Sequence, residues 1–194
     1  MVNFWVRVTW LLDLLVWRVH KYDDNGMELK FTYGKESLNL GPKKSQKLDD
    51  FKAKMDKARP TQGLATRTDM KANLSLIIDK HIRDHPRLER KLLLMVLTDG
   101  VWEGMNSEHE VDNYLVDVLL KLNEIVSSDS IVDEAETSFP GTSATKFQDR
   151  PISVEFIRFG HDQKAIERLD RLDNQLKYRL ELEGKAIRYV TVHE

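Results

Sequence analysis

The chain has 194 residues, of which 41% are hydrophobic and 32% charged, with a formal net charge of -2. A chain of this length buries roughly 70% of the surface its unfolded form exposes, so one domain accommodates residues 1–194 and no second core is needed. The near balance of charge argues against a general nucleic-acid binder, and the absence of cysteine excludes a disulfide framework, a thiolate zinc site and a cysteine nucleophile together.

The first stretch, MVNFWVRVTWLLDLLVWRVH, is apolar, but no basic region precedes the run, Asp13 interrupts it and no small-residue cleavage site follows. Arg7, Asp13 and Arg18 leave no run near the ~20 apolar residues that cross a bilayer. A cytoplasmic location without membrane attachment is therefore expected. Phe4 to Tyr22 is apolar on nearly every face and reads as a helix largely buried under other elements. The cluster Asp23-Asp24-Asn25-Gly26 favours a tight reversal, after which MELKFTY alternates as a half-buried strand does. Gly34 to Ser45 reads as loop with a short strand at Leu38 to Leu40. Gln46 to Ala58 places Leu48, Phe51 and Met55 at helical spacing before Pro60 ends that run.

The loop TQGLATRT, residues 61–68, opens onto a helix from Asp69 to Asp84 with Met70, Leu74, Ile77, Ile78 and Ile82 on one face, stopped by Pro86. Lys91 to Thr98 is a continuous apolar strand of the kind found in parallel sheets covered on both sides. Val111 to Val126 is again helical, with Leu115, Val118, Leu119, Leu122 and Val126 on its stripe. Residues 127–150 are rich in Ser, Asp, Glu, Thr, Gly and Pro, so a mobile surface insertion is expected there. ISVEFIRFG then alternates as a strand, DQKAIERLDRLDNQLKYRLEL is an amphipathic helix opened by Asp162, and AIRYVTV is a last strand. This order predicts an α/β sandwich with a mostly parallel sheet.

Charge is unevenly placed: Gly41 to Lys71 holds nine basic residues against four acids, whereas Asp99 to Glu136 holds eleven acids against Lys121 alone. One surface suits anions and another cations. The basic stretch from Lys43 to Arg59 alternates with acids and helical apolar positions, so a solvated helix face is favoured over a nucleic-acid patch. The six histidines, His20, His81, His85, His109, His161 and His193, show no metal spacing, and His81 with His85 reads as a solvated helix end.

In open parallel sheets the functional crevice lies beyond the C-terminal strand ends. Asp99 sits at such an end, and Thr68 leads into a helix that would open on the same edge. A charge ending a covered strand costs several kcal/mol unless it is paired, solvated or metal-bound. Asp99 reads either as a solvated strand-end carboxylate or helix cap or as a ligand, and Thr68 either as a helix cap or as a ligand.

TDMKANL at Thr68 to Leu74, with VLTDG at Val96 to Gly100, resembles two of the three loops that form the metal-ion-dependent adhesion site of von Willebrand factor type A domains. The segments LLVWRVHKYDDNGMELKFT and FIRFGHDQKAIERLDRLDNQL are similar to the uncharacterised type A domain proteins common in fungi, and the resemblance spans most of the chain outside residues 127–150. It implies a three-layer, Rossmann-like α/β sandwich with helices on both faces of the sheet. It also implies a protein-interaction module without enzymatic activity, with Thr68 at the threonine position and Asp99 at the aspartate position of a magnesium site. A protein partner would complete the shell through an acidic side chain. Asp69, Trp102 and Glu103 would lie on the partner-facing surface.

The Asp-x-Ser-x-Ser loop of that family is absent, and the resemblance places the first residues of this chain after it. The first central strand is then missing as well, between Met27–Tyr33 and Lys91–Thr98, as in an N-terminally truncated version. With only a threonine and an aspartate left, magnesium binding would be weak or lost. A second reading is a divalent-metal-dependent phosphohydrolase that uses Asp99, with Asp69 and Glu103 as the only candidates for its second carboxylate. A third is a chain whose missing strand denies it an autonomous fold.

Overall fold

The computed structural model describes residues 4–19, 27–32, 37–40, 47–59, 67–130, 151–182 and 190–193. In chain order these form α1 (Trp5–Val19), β1 (Met27–Lys30), β2 (Ser37–Leu40), α2 (Lys47–Lys57) and α3 (Met70–Asp84), followed by β3 (Leu92–Thr98), α4 (Glu110–Ser130), β4 (Ile152–Arg158), α5 (Gln163–Leu182) and β5 (Val190–His193). The molecule is mixed α/β. It divides into two compact units, Met1–Asp69 with Val101–Gly104, and Met70–Gly100 with Met105–Glu194.

In the first unit β1 and β2 pair antiparallel from Met27 opposite Leu40 to Lys30 opposite Ser37. α1 buries Trp5, Val8 and Leu12, at i, i+3 and i+7, and the Trp5 ring lies 6.2 Å from that of Phe31. The expectation of a helix buried on nearly all sides is corrected here. Val6, Trp10, Leu14 and Trp17 form a second apolar stripe that faces outward, with Trp10 70% exposed. An apolar sequence makes burial favourable but does not supply the neighbour that provides it. Met55 of α2 is fully buried, whereas the side chains of Leu48 and Phe51 lie outside the described set.

In the second unit β3, β4 and β5 form a parallel sheet in that order. α4 and α5 are its crossovers. Strands that step in one direction place right-handed crossovers on one face, and α4 accordingly packs against both α3 and α5. β4 alternates as its sequence does: Ile152, Val154 and Phe156 are buried, while Ser153, Glu155 and Ile157 are half-buried. α3 buries Met70, Leu74, Ile78 and Ile82 in a strict i, i+4 ladder. α4 buries Val111, Leu115, Val118, Leu119 and Leu122.

β3 departs from expectation. Its six apolar residues read as a strand covered on both sides, yet none of Leu92 to Leu97 is buried and Leu93 is 59% exposed. The reason is position: among the described residues only β4 pairs with it, so β3 is an edge. α4 also runs four residues past Val126, which makes residues 127–130 of the expected insertion helical. Residues 131–150, 186–189 of the last expected strand and 61–66 of the loop before Thr68 lie outside the described set. Among the described residues no helix is long and apolar enough to cross a membrane.

Candidate functional site

The end of β3 is held by short-range bonds. Thr98 is buried, and its Oγ1 accepts a hydrogen bond from the Gly100 N–H at 2.9 Å, while its carbonyl accepts one from the Phe159 N–H at 2.8 Å. Gly100 has φ +76°, and a Cβ there would stand 2.5 Å from the Ala165 Cβ, so glycine is required on both counts. The Arg168 guanidinium donates to the Gly100 carbonyl. α5 begins where the sequence places it: Asp162 Oδ1 accepts from the Ala165 N–H at 2.9 Å, the geometry of an N-cap. Arg158 Nη1 donates to the Gly160 carbonyl at 2.7 Å.

Asp99 is half-buried within this frame. It does not end a covered strand, and because part of its surface stays in water, its ionised form costs less than the sequence implied. A cation is therefore not needed to account for its position.

Thr68 and Asp69, which precede α3, are half-buried in the first unit. The Gly104 N–H donates to the Thr68 carbonyl at 3.0 Å, and a Cβ on Gly104 would fall 2.6 Å from the Asp69 nitrogen and 2.7 Å from the Thr68 carbonyl carbon. The segment Val101–Gly104 thus lies directly against the Thr68–Asp69 peptide. Glu103 in this segment is exposed. Trp102, expected on the partner-facing surface, is 3% exposed and belongs to the core; a large aromatic in a loop gains more from packing than from waiting for a partner. Of the expected site residues, the structure brings together Thr68, Asp69 and the 101–104 segment, and it places Asp99 in the second unit.

One polar cluster was not anticipated. Asp112, in the first turn of α4, is 5% exposed and receives the Arg171 Nε at 2.9 Å, while Arg171 Nη2 donates to the Glu108 carbonyl at 2.9 Å. His109 Nδ1 lies 3.4 Å from the same Asp112 oxygen, and Glu108 Oε2 lies 3.6 Å from Arg171 Nη1. Asp112 Oδ1 is buried and has no hydrogen-bond partner among the described residues. Arg171 follows Asp112 by 59 positions, so no local pattern marks the pair. Among the described residues no group of three or more His, Cys, Asp or Glu forms a metal-binding cluster.

His81 and His85, read as solvated, are half-buried and engaged, with ring centroids 5.0 Å apart. His81 Nε2 lies 3.0 Å from the Arg90 carbonyl and His85 Nδ1 2.9 Å from Glu89 Oε1. Burial holds the His81 pKa below its ordinary 6.5; the Arg90 carbonyl opposes this, and the His85 charge adds to it. The bond from His85 lowers the Glu89 carboxyl. Tyr114 donates to Asp79 Oδ1 at 3.1 Å, and burial together with that carboxylate pushes its phenol up.

A depressed histidine pKa means that the unfolded chain binds more protons between the folded value and 6.5. The stability tied to His81 is thus fully present above 6.5 and is lost as the pH falls through the folded value. Thermal melts should show a smaller loss between about pH 7 and about pH 5 for His81→Gln than for the parent chain. Parallel pH slopes would remove this role from His81. Comparisons with protein-family models, curated proteins and solved structures find no match to this chain.

Proposed function

We propose that the chain is a non-enzymatic protein-interaction module of von Willebrand factor type A kind, built as a single three-layer domain with an incomplete adhesion site. The observation that carries this reading is the hydrogen bond from the Gly104 N–H to the Thr68 carbonyl. It ties the segment that follows Asp99 to the loop that resembles the family's threonine loop. The parallel order of β3, β4 and β5 with helical crossovers is compatible with it.

In this reading the Thr68 hydroxyl and the Asp99 carboxylate are the remaining donors for Mg2+. Oxygen donors fit a hard divalent ion, but with one carboxylate water must supply most of the shell, so affinity is low. An acidic side chain of a protein partner would complete it. Without metal, the partner meets Thr68, Asp69 and Glu103 in the first unit and Asp99 in the second, while Trp102 is packed in the core. Calorimetric titration with Mg2+ or Mn2+ tests the metal: the parent chain should bind with a dissociation constant on the order of 1 mM or weaker, and Asp99→Ala should give no heat. Equal or absent heats in both chains reject a surviving site.

A further inference from the structure

β3 has the composition of a sheet centre, and among the described residues it stands at an edge. Two hydrogen bonds fix which of its backbone groups are used. The Leu92 N–H donates to the Pro151 carbonyl, and the Thr98 carbonyl accepts from the Phe159 N–H, both at 2.8 Å. In a parallel ladder the N–H and C=O of one residue point to the same neighbour, and those of the next residue point away from it. Leu92, Leu94, Val96 and Thr98 therefore bond toward β4, whereas Leu93, Met95 and Leu97 aim their N–H and C=O groups at the other edge.

Sheet edges are normally blunted by a charge, a proline or a bulge. From Leu92 to Leu97 there is no charge and no proline, and the register with β4 runs without interruption.

We infer that this edge of β3 pairs with β3 of a second copy of the chain, joining two parallel sheets through one antiparallel seam centred on Met95. Two-fold symmetry makes identical strands antiparallel and the interface self-complementary. Centred on Met95, the seam sets Met95 opposite Met95 and Leu93 opposite Leu97, and the residues that aim their backbone groups outward are the ones that meet. The exposed Leu93 is then covered by the mate's Leu97, a cross-strand apolar pair.

Charge selects this register and this occupant. Lys91 precedes the strand and Asp99 follows it, and both lie four residues from Met95. Each Lys91 consequently faces the mate's Asp99. Slipping the seam by one step in either direction puts one of these charges opposite a leucine. The inference rests on β3 and its described neighbours; it does not rest on the type A reading, in which an absent first strand would occupy this edge.

Sedimentation velocity of the full chain across a dilution series tests it, with melts to check folding. The parent chain should be a dimer that dissociates on dilution. Leu93→Lys, at an exposed position, should weaken the dimer at least about tenfold. Lys91→Asp should weaken it, and Lys91→Asp combined with Asp99→Lys should restore it. The chain has no cysteine, so Met95→Cys gives a direct probe. Cα atoms of a hydrogen-bonded antiparallel pair lie about 5.5 Å apart, within the span of about 4.4–6.8 Å that a disulfide bridges. Oxidation should therefore link Met95→Cys chains in pairs and leave Leu76→Cys, exposed on α3, unlinked. A chain that stays monomeric at every concentration overturns the inference. So does a dimer indifferent to Leu93→Lys, which would place the contact elsewhere, for instance on the outward stripe of α1.

Discussion

Arg171→Ala is expected to cost about 3–5 kcal/mol of folding stability, because it leaves the Asp112 carboxylate buried without its cation. A domain of this kind is stable by about 5–15 kcal/mol in all, so the loss is a large fraction of the total. The Arg171 side chain is 17% exposed and that of Asp112 6%, so little water is available to replace the lost bond. Arg171 also holds the Glu108 carbonyl just ahead of α4, and its removal frees that end of the helix. Asp112→Ala should cost less, since an arginine with a long apolar stem can carry its charge outward. The double variant should fall short of the sum of the single ones by about 1–3 kcal/mol, the mark of groups acting as a pair. Urea unfolding of the four chains gives all these values. A cost for Arg171→Ala below about 1 kcal/mol would mean that the pair behaves as an exposed one.

Where burial follows a single helical or strand period, the fold was legible residue by residue. Met70, Leu74, Ile78 and Ile82 of α3 and the alternation along β4 are read off the sequence because one face of each element is covered and the other is not. The start of α5 was legible for a different reason: Asp162 makes a bond within its own turn, which depends on no distant residue. α1 and β3 were misread for a shared reason. Both are apolar on every side, and such a sequence states that cover is favourable without stating which side receives it. In α1 the Trp5, Val8 and Leu12 face is covered and the Trp10 face is not; in β3 the β4 side is paired, and among the described residues the other side is an edge.

The candidate site was legible as a set of positions and not as an arrangement. Thr68 and Asp99 can be picked out because each sits at the junction of a polar loop and a regular element. That Gly104 packs on the Thr68–Asp69 peptide joins positions 36 apart in the chain from Thr68, and nothing in WEGMN announces it. The burial of Trp102 is of the same kind. A loop aromatic is compatible with a surface anchor and with a core plug, and only its neighbours decide. Asp112 and Arg171 are charged residues on two different helices, and no local spacing links them. The packing of α4 on α5 turns both charges inward.

The same sheet should respond very differently to truncation at two of its large apolar residues. Phe156 in β4 is 0% exposed, and Phe156→Ala removes its contacts and leaves a cavity that neighbours on both sides prevent from collapsing. A buried phenylalanine truncated in this way costs about 3–5 kcal/mol. Leu93, on the edge strand and largely in water, has little burial to lose, and Leu93→Ala at concentrations where the chain is monomeric should cost about 1 kcal/mol or less. Sequence alone ranks the two strands the other way, since LLLMVLT is the more apolar of the two and ISVEFIR carries a glutamate and an arginine. The pair of measurements therefore separates strand composition from strand position. If Leu93→Ala proved as costly as Phe156→Ala in the monomer, another element would have to cover β3, and its edge would not be open to a second copy. If it cost little when dilute and progressively more as concentration rose, the added stability would come from the seam, because association stabilises by mass action only the form that binds.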